Sequence, residues 1–518
     1  MQGCTHAFAC ANRPKFVKIA LGFGGSQPFE ERMATFSLKL PDDLEGKQKS
    51  ILVEKSYLAG TDGNPVPTQR EFKDPILGLR QHGDEAVRAV TPWWLNSRGM
   101  IASSTATLMN REAPYPLVKE LARGKLNQIR GMVAEWESRG LEITPTVRSS
   151  ILSAGKKLAE VVGLAPRDAR FDACSSAALE SAFGAATDLI GCYCEKLIAA
   201  KQRQTPQLPT TQSFYLRKTL PNSDHEKELC RAFNGVQISV PWRLVEPEPG
   251  KFDWVKLDEM VAWGRDHGLR VGLGPVVDLN SSDLPSWFFP IAKDINKAAG
   301  VIFRYIDQVV SRVRGKVDTF LVIQGGNFTD AQMGDLDETE WLRLTFNACL
   351  RVRQSLPEMP LGVGIVQPWG ELLASEHRDH NPFLFAEALS RSVDGLGSVD
   401  IEMVFGQEGR GSVPRDALEI SKMLDQIAYM GTPMRLDFAP PPLGLGLTPE
   451  GRLAWVREFY ELALASPIVT EVRWCETFEG ERDIFPGAGL LADPNHVHGK
   501  QTGEILEFLA GLKAKYLR

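Results

Sequence analysis

Carboxylate and aromatic side chains follow several predicted strands in the second half of the chain, where they could do chemistry. Glu402 lies within the sixth of these strands, and Glu371 follows the fifth beside Trp369. Two carboxylates at one end of a parallel sheet could divide the roles of general acid/base and nucleophile. The alternative is structural: Arg435 or a tryptophan N–H holds Glu402, and Glu371 caps the following helix. Glu371 and Glu402 are the candidate catalytic residues.

The elements that must position these residues alternate along the chain. Short β-branched runs are followed by amphipathic helices at regular intervals, which indicates repeated βα units and a parallel sheet. Eight such strands fit a closed (β/α)8 barrel, in which functional residues lie at the carboxyl ends of the strands. The predicted strands lie near residues 214–216, 236–239, 270–277, 319–324, 361–366, 399–405, 434–438 and 471–474.

Three further regions are predicted before the barrel, which itself covers residues 205–518. Residues 33–112 alternate with a period of two between turn-rich segments, which predicts a β-sandwich-like domain. Residues 113–204 have helical spacing and predict a helical connector, ended by a polar, proline-bearing linker. Residues 1–32 are either a loose arm or an upstream extension of the reading frame.

The composition excludes several classes of partner. With 59 Lys and Arg against 65 Asp and Glu, the chain has no basic excess for nucleic acid or an anionic membrane. No stretch is long and apolar enough to predict a membrane span. The eight cysteines lack paired CxxC spacing and predict free thiols in a reducing compartment. We therefore expect a cytoplasmic protein with a neutral ligand and no metal or cofactor, while the oligomeric state stays open.

Four segments of the predicted barrel carry a recognisable pattern. Residues 242–254 read WRLVEPEPGKFDW and residues 284–287 read LPSW. Near the carboxyl terminus, residues 474–476 read WCE and residues 488–495 read AGLLADPN. Together they resemble glycoside hydrolase family 10, whose founding members are β-1,4-xylanases. The resemblance covers the whole barrel and implies the same (β/α)8 fold, with a polysaccharide or oligosaccharide as the ligand.

The resemblance also implies a set of substrate-binding residues at strand ends. A tryptophan offers a flat face to the apolar C–H face of a pyranose. The candidate substrate-binding residues are Trp242, Gln367, Trp369, Arg435, Asp437, Trp474 and Glu476. We expect the main pocket to lie at the mouth of the barrel among these residues, with Arg435 within salt-bridge reach of Glu402.

The family's two catalytic positions are changed in this sequence. Family 10 enzymes retain stereochemistry with two glutamates, a mechanism that needs the carboxylates about 5 Å apart. Gly325 and Gly326 stand where the acid/base would follow the fourth strand, and Arg435 takes the place of the nucleophile. Glycine cannot transfer a proton and arginine cannot attack an anomeric carbon.

Three hypotheses of function stay open. The first is a glycosidase that hydrolyses a β-linked polysaccharide with Glu371 and Glu402 as relocated carboxylates. The second is a catalytically inactive pseudo-glycosidase that binds carbohydrate or acts as a scaffold. The third is a structural protein that interacts through its amino-terminal domains. The fold alone cannot choose among them.

Overall fold

The structure, a computed structural model, describes most of the chain. It covers residues 33–517 except 280–281, 328–335, 367–368, 375–381, 394, 407–411, 445, 482–486 and 492–499. The predicted amino-terminal arm therefore lies outside the described residues, as does the candidate substrate-binding residue Gln367.

Two small sheets form the amino-terminal part, as the alternating sequence predicts. The elements are β1 (Met33–Lys39), α1 (Gly46–Lys55), β2 (Tyr57–Ala59), β3 (Pro65–Val66), β4 (Gln69–Lys73), β5 (Ile76–His82), β6 (Arg88–Leu95), β7 (Gly99–Ser104) and β8 (Tyr115–Pro116). One sheet has the order β4-β5-β1-β8 and the other β3-β2-β6-β7. In β1 every second side chain is buried, which is the pattern of a strand with one face on a core. Leu38 of the first sheet and Trp93 of the second belong to the same apolar cluster.

Three helices connect this part to the barrel: α2 (Leu117–Ser138), α3 (Pro145–Val162) and α4 (Phe171–Gln204). The side chain of Thr144 caps α3 by accepting a hydrogen bond from the backbone N–H of Val147, and a proline opens the helix. Trp136 of α2 stacks on Tyr193 of α4 with ring centroids 4.0 Å apart. The helical period of the sequence thus corresponds to a three-helix layer.

Eight parallel strand positions close into a barrel, which confirms the predicted (β/α)8 fold. The third position is split into two short segments, and the first of these also pairs with the fourth strand. The strands are β9 (Thr211–Leu216), β10 (Gly235–Ile238), β11 (Arg270–Leu273), β12 (Val277–Asp278), β13 (Thr319–Gln324), β14 (Leu361–Ile365), β15 (Ser398–Val404), β16 (Met434–Ala439) and β17 (Val469–Trp474).

Helices surround the barrel and cover the apolar side chains on the outer face of its strands. They are α5 (Ser223–Ala232), α6 (Trp242–Val245), α7 (Val255–Asp266), a 3₁₀ helix (Ser286–Phe288), α8 (Phe289–Ala292), α9 (Ile295–Val313), α10 (Glu338–Ser355), α11 (Gly370–Leu373), α12 (Pro382–Ser392), α13 (Ala417–Ala428), α14 (Pro449–Ala465) and α15 (Lys500–Tyr516). None of the helices within the described ranges is long and apolar enough to cross a bilayer.

Two ion pairs attach the amino-terminal part to the barrel. Arg98, the residue before β7, makes two contacts of 2.6 and 2.9 Å with Glu458 of α14, and this pair is half-buried. Lys125 of α2 lies 2.8 Å from Asp416, the residue that caps α13, and both side chains are buried. Because a buried charge is costly without its partner, these contacts fix the β domain against one side of the barrel.

Candidate functional site

The inside of the barrel is ionic, whereas barrels of this fold are mostly filled by branched apolar side chains. Strand register places Asp400 opposite Arg435, and Arg435 opposite Glu471. Two residues further along the same strands, Glu402 lies opposite Asp437, and Asp437 opposite Arg473. Since alternate residues of a strand share a face, these six side chains form two charged layers within the barrel.

Direct contacts connect the two layers. Asp400 accepts a hydrogen bond of 2.8 Å from Arg435 Nε and another of 2.6 Å from Arg473 Nη2. Arg473 Nε also lies 2.7 Å from Asp437 Oδ1, and Tyr215 donates its hydroxyl to the same oxygen at 3.0 Å. Asp400 therefore bridges two guanidinium groups and is the centre of the network.

Burial acts differently on the two aspartates. For Asp400, burial alone would raise the pKa, but Arg435 and Arg473 outweigh it and hold the pKa below its usual value. For Asp437, burial dominates over the attraction of Arg473 and raises the pKa to about 7. The Asp437 carboxyl can therefore gain or lose a proton near neutral pH.

Glu402 lies beneath an apolar layer. Its side chain is 4% exposed, and its Oε1 has no hydrogen-bond partner among the described residues. One layer closer to the carboxyl ends of the strands, Val404, Ala439 and Cys475 belong to an apolar cluster that also contains Tyr215. This cluster stands between the Glu402 carboxylate and the mouth of the barrel.

The predicted contact between Arg435 and Glu402 is wrong, because Arg435 bonds to Asp400 in the layer nearer the amino-terminal ends of the strands. A glycine makes this possible: a Cβ at Gly362 would lie 1.8 Å from Arg435 Nη2. Arg435 also lines a cleft at the amino-terminal end of the barrel rather than a pocket at its mouth. Glu402 and Arg435 do lie on neighbouring strands, but the charge partner of Arg435 across the strands is Asp400.

Glu371 lies at the contact between the barrel and the β domain. Its two carboxylate oxygens are 2.7 and 2.8 Å from the guanidinium of Arg415. That guanidinium packs over the ring of Trp369 at 4.6 Å and lies 3.4 Å from the hydroxyl of Tyr57 in β2. Glu371 and Glu402 thus belong to two separate buried networks.

The remaining candidate residues are also buried. Trp242 is 2% exposed, stacks on Tyr305 and donates its indole N–H to Glu246 at 3.0 Å. Trp474 is fully buried and donates to the carbonyl of Ala488. Glu476 is fully buried as well. An indole at this depth presents no open face to a sugar in solution.

The fourth-strand position has no room for an acid. Gly325 has a φ of +86°, which favours glycine, and a Cβ at Gly326 would lie 2.6 Å from Thr345 Oγ1. The backbone geometry and the packing therefore both favour the glycines found here.

The sequence interpretation missed a polar cluster at the carboxyl ends of the first two strands. Arg217, the residue after β9, lies 2.5 Å from Asp283 and donates to Ser239 at 3.0 Å. Burial raises the pKa of the neighbouring Glu481 to about 7, although Arg217 lowers it. The position of Arg217 directly after a strand could have indicated this cluster, but the sequence pattern of the first strand is weak.

Glu481 makes a pH dependence testable. Its folded pKa of about 7 exceeds the ordinary glutamate value of 4.5. The folded state therefore binds the proton more tightly than the unfolded state. The stability that this group provides is present below pH 4.5 and is lost as pH rises through about 7. The substituted glutamine carries no charge at any pH, so the stability of Glu481→Gln relative to the native chain should increase from pH 4.5 to about pH 7, by up to about 3 kcal/mol. Urea unfolding at pH 5 and pH 8 measures this, and a constant difference between the two proteins would contradict it.

The fold and interior define the class: a (β/α)8 barrel with a buried ionic core and an attached β domain. No protein-family model matches the chain. Among solved structures, the chain is similar to xylanase 10B from Thermotoga maritima, with 13% identity and a TM-score of 0.45 over 60% of this chain and 98% of that one. A thermostable mutant xylanase from Cellvibrio japonicus is similar at 15% identity and a TM-score of 0.45, over 61% of this chain and 99% of that one.

Proposed function

We propose that the barrel is a non-hydrolytic relative of family 10 glycosidases that binds a β-linked polysaccharide or oligosaccharide at the carboxyl-terminal end of its strands. The absence of hydrolysis is proposed because of where the two candidate carboxylates lie. Both carboxylate oxygens of Glu371 contact the Arg415 guanidinium, and Glu402 lies under an apolar layer. A retaining mechanism needs two carboxylates facing one substrate, and these two face different networks.

The carbohydrate part rests on the sequence resemblance of residues 242–254 and 284–287. The geometry supports a scaffolding role for this loop, because Glu246 accepts hydrogen bonds from Trp242 and from the backbone N–H of Gly250 and forms an ion pair with Arg304. Trp287 donates to the Glu246 carbonyl at 3.0 Å. This loop follows the second barrel strand and lies beside the barrel mouth, where the proposed glycan would bind. A neutral glycan also agrees with the charge balance of the chain and with a cytoplasmic protein that binds neither nucleic acid nor membranes.

A second candidate function is hydrolysis of O-glycosyl bonds with a different acid. The observation that favours it is the Glu481 carboxyl, whose pKa of about 7 suits a general acid at neutral pH. It lies in the cluster with Arg217 and Asp283 at the carboxyl ends of the strands, where barrel enzymes place their chemistry. In this case Glu481 would donate the proton to the leaving oxygen.

Titration calorimetry with xylohexaose and cellohexaose tests both candidates, provided that the sugar is recovered afterwards and analysed by chromatography. We expect saturable binding and recovery of the intact hexasaccharide. Cleaved product that disappears in Glu481→Gln, but persists in the exposed control Glu450→Gln, would establish the second candidate instead. No measurable heat with either sugar would refute carbohydrate binding by this chain.

A further inference from the structure

A cleft opens at the amino-terminal end of the barrel, opposite the mouth. Its volume is about 470 Å³, within the range of small-molecule sites. Its walls come from the first residues of several strands and from the end of α4, including Thr319, Ser398 and Val469. This end of a (β/α)8 barrel ordinarily serves stability rather than binding.

Three cationic side chains line the cleft, and no carboxylate is among its described lining residues. Arg270 is exposed and forms no ion pair within the described part of the chain; its Nη1 donates only to Thr211 Oγ1, at 3.3 Å. Lys201 donates to the carbonyls of Leu464 and Ser466 at 2.7 and 2.6 Å, which uses two of its three N–H groups. Each side chain therefore has donors that an anion could use.

The third cation, Arg435, is 4% exposed. Its Nε is bonded to Asp400, but its Nη2 is buried and has no hydrogen-bond partner in the described ranges. Arg435 also lines the cleft, so its positive charge would attract a bound oxyanion.

We propose that this cleft binds a small organic anion that carries a phosphate or carboxylate group, with Arg270, Lys201 and Arg435 as the cationic side chains of the site. The volume exceeds what a lone inorganic anion fills, and four prolines and Leu208 add apolar wall. The prolines are Pro209, Pro360, Pro433 and Pro467. Thr205, Thr210 and Thr319 also line the cleft, and a threonine hydroxyl can bond to a polyol, so a sugar acid or a sugar phosphate suits the lining.

The state of Lys201 agrees with this assignment. Burial lowers its pKa to about 8, and no carboxylate offsets that effect. A bound anion would favour the charged ammonium and raise the pKa. Binding should therefore weaken as pH rises above about 8, where the unoccupied site loses this charge.

Titration calorimetry at low salt on the full chain tests the site with four probes: glucuronate, glucose 6-phosphate, inorganic phosphate and neutral glucose. We expect one or both of the sugar anions to bind, inorganic phosphate to bind more weakly, and glucose not to bind. Comparison of the first two probes decides between a carboxylate and a phosphate. Arg270→Gln should weaken binding of the sugar anion roughly tenfold, because it removes a charge-assisted contact.

Arg314→Gln is the matched control. Arg314 is an exposed arginine that follows α9 and does not line the cleft, so the variant changes the net charge equally. Its affinity should equal that of the native chain, and the thermal midpoints of both variants should confirm that they fold. The proposal is overturned if no sugar anion binds, if glucose binds as well as the anions, or if the two variants weaken binding equally.

Discussion

Xylan should remain essentially uncut by the purified protein. The missing general acid alone lowers the rate of glycoside cleavage by roughly 10²- to 10⁴-fold. The glycines at 325 and 326 cannot protonate a leaving oxygen, and a side chain at position 326 would collide with Thr345 unless Thr345 moved. At the position where the sequence resemblance places a nucleophile, Arg435 is buried against Asp400 and offers no covalent route. Reducing-sugar release from xylan, compared with a family 10 enzyme at equal concentration, measures the combined loss.

Two variants distinguish an inert barrel from one with relocated carboxylates. Glu371→Gln and Glu402→Gln should leave the residual release of reducing sugar unchanged in protein that is shown to be folded. Glu371→Gln should also lower the thermal midpoint, because Arg415 then loses its charge partner. Release at rates typical of family 10 that either substitution abolishes would show that these carboxylates do catalyse hydrolysis. Release at such rates that neither abolishes would place the catalytic pair elsewhere.

The order of strands and helices could be predicted because the outward faces of the barrel strands are apolar and regularly spaced. The predicted fourth strand, residues 319–324, coincides with β13. The first strand was weakly marked because its inward side is polar: Ser213 bonds to Glu471 inside the barrel, and Tyr215 to Asp437. A polar interior thus removes part of the hydrophobic signal on which strand prediction depends.

The partners of the charged residues could not be predicted, because they depend on register and on distant loops. The sequence places Glu402 and Arg435 on neighbouring strands, but only the register shows that Asp400 lies opposite Arg435. Arg415, which binds Glu371, comes from the segment after β15, forty-four residues away. Which of several carboxylates meets a given arginine is therefore information from the tertiary structure.

Contacts of Glu246 hold the loop of residues 242–254. Residues of the EPEPG segment have clear structural roles, since Glu246 ties together Trp242, Gly250 and Arg304. These contacts hold the loop and require no catalytic glutamate. The sequence pattern of this loop therefore predicts how the loop is held, and it does not predict whether the barrel carries catalytic residues.

Replacement of Asp400 should destabilise the barrel far more than replacement of an aspartate on the surface. Asp400 is fully buried and is the acceptor for both Arg435 and Arg473. In Asp400→Asn, a neutral amide of similar shape would leave two buried guanidinium groups without this charge. Removing one partner of a buried ion pair costs about 3 to 5 kcal/mol. We expect a loss of unfolding free energy in this range at pH 7, measured by urea unfolding followed by circular dichroism.

The matched control is Asp307→Asn, which removes an aspartate from a surface pair with Arg351, 2.7 Å apart. Exposed ion pairs contribute about 0 to 1 kcal/mol, so this variant should remain close to the native chain. The difference in unfolding free energy between Asp400→Asn and the native chain should become smaller in acid. The pKa of Asp400 is lowered in the folded state, so the stability that its charge provides is present above the ordinary pKa of 3.8. That stability is lost as pH falls through the lowered pKa of the folded state. Equal, small losses in the two variants would mean that the ionic interior contributes no more to stability than a pair on the surface.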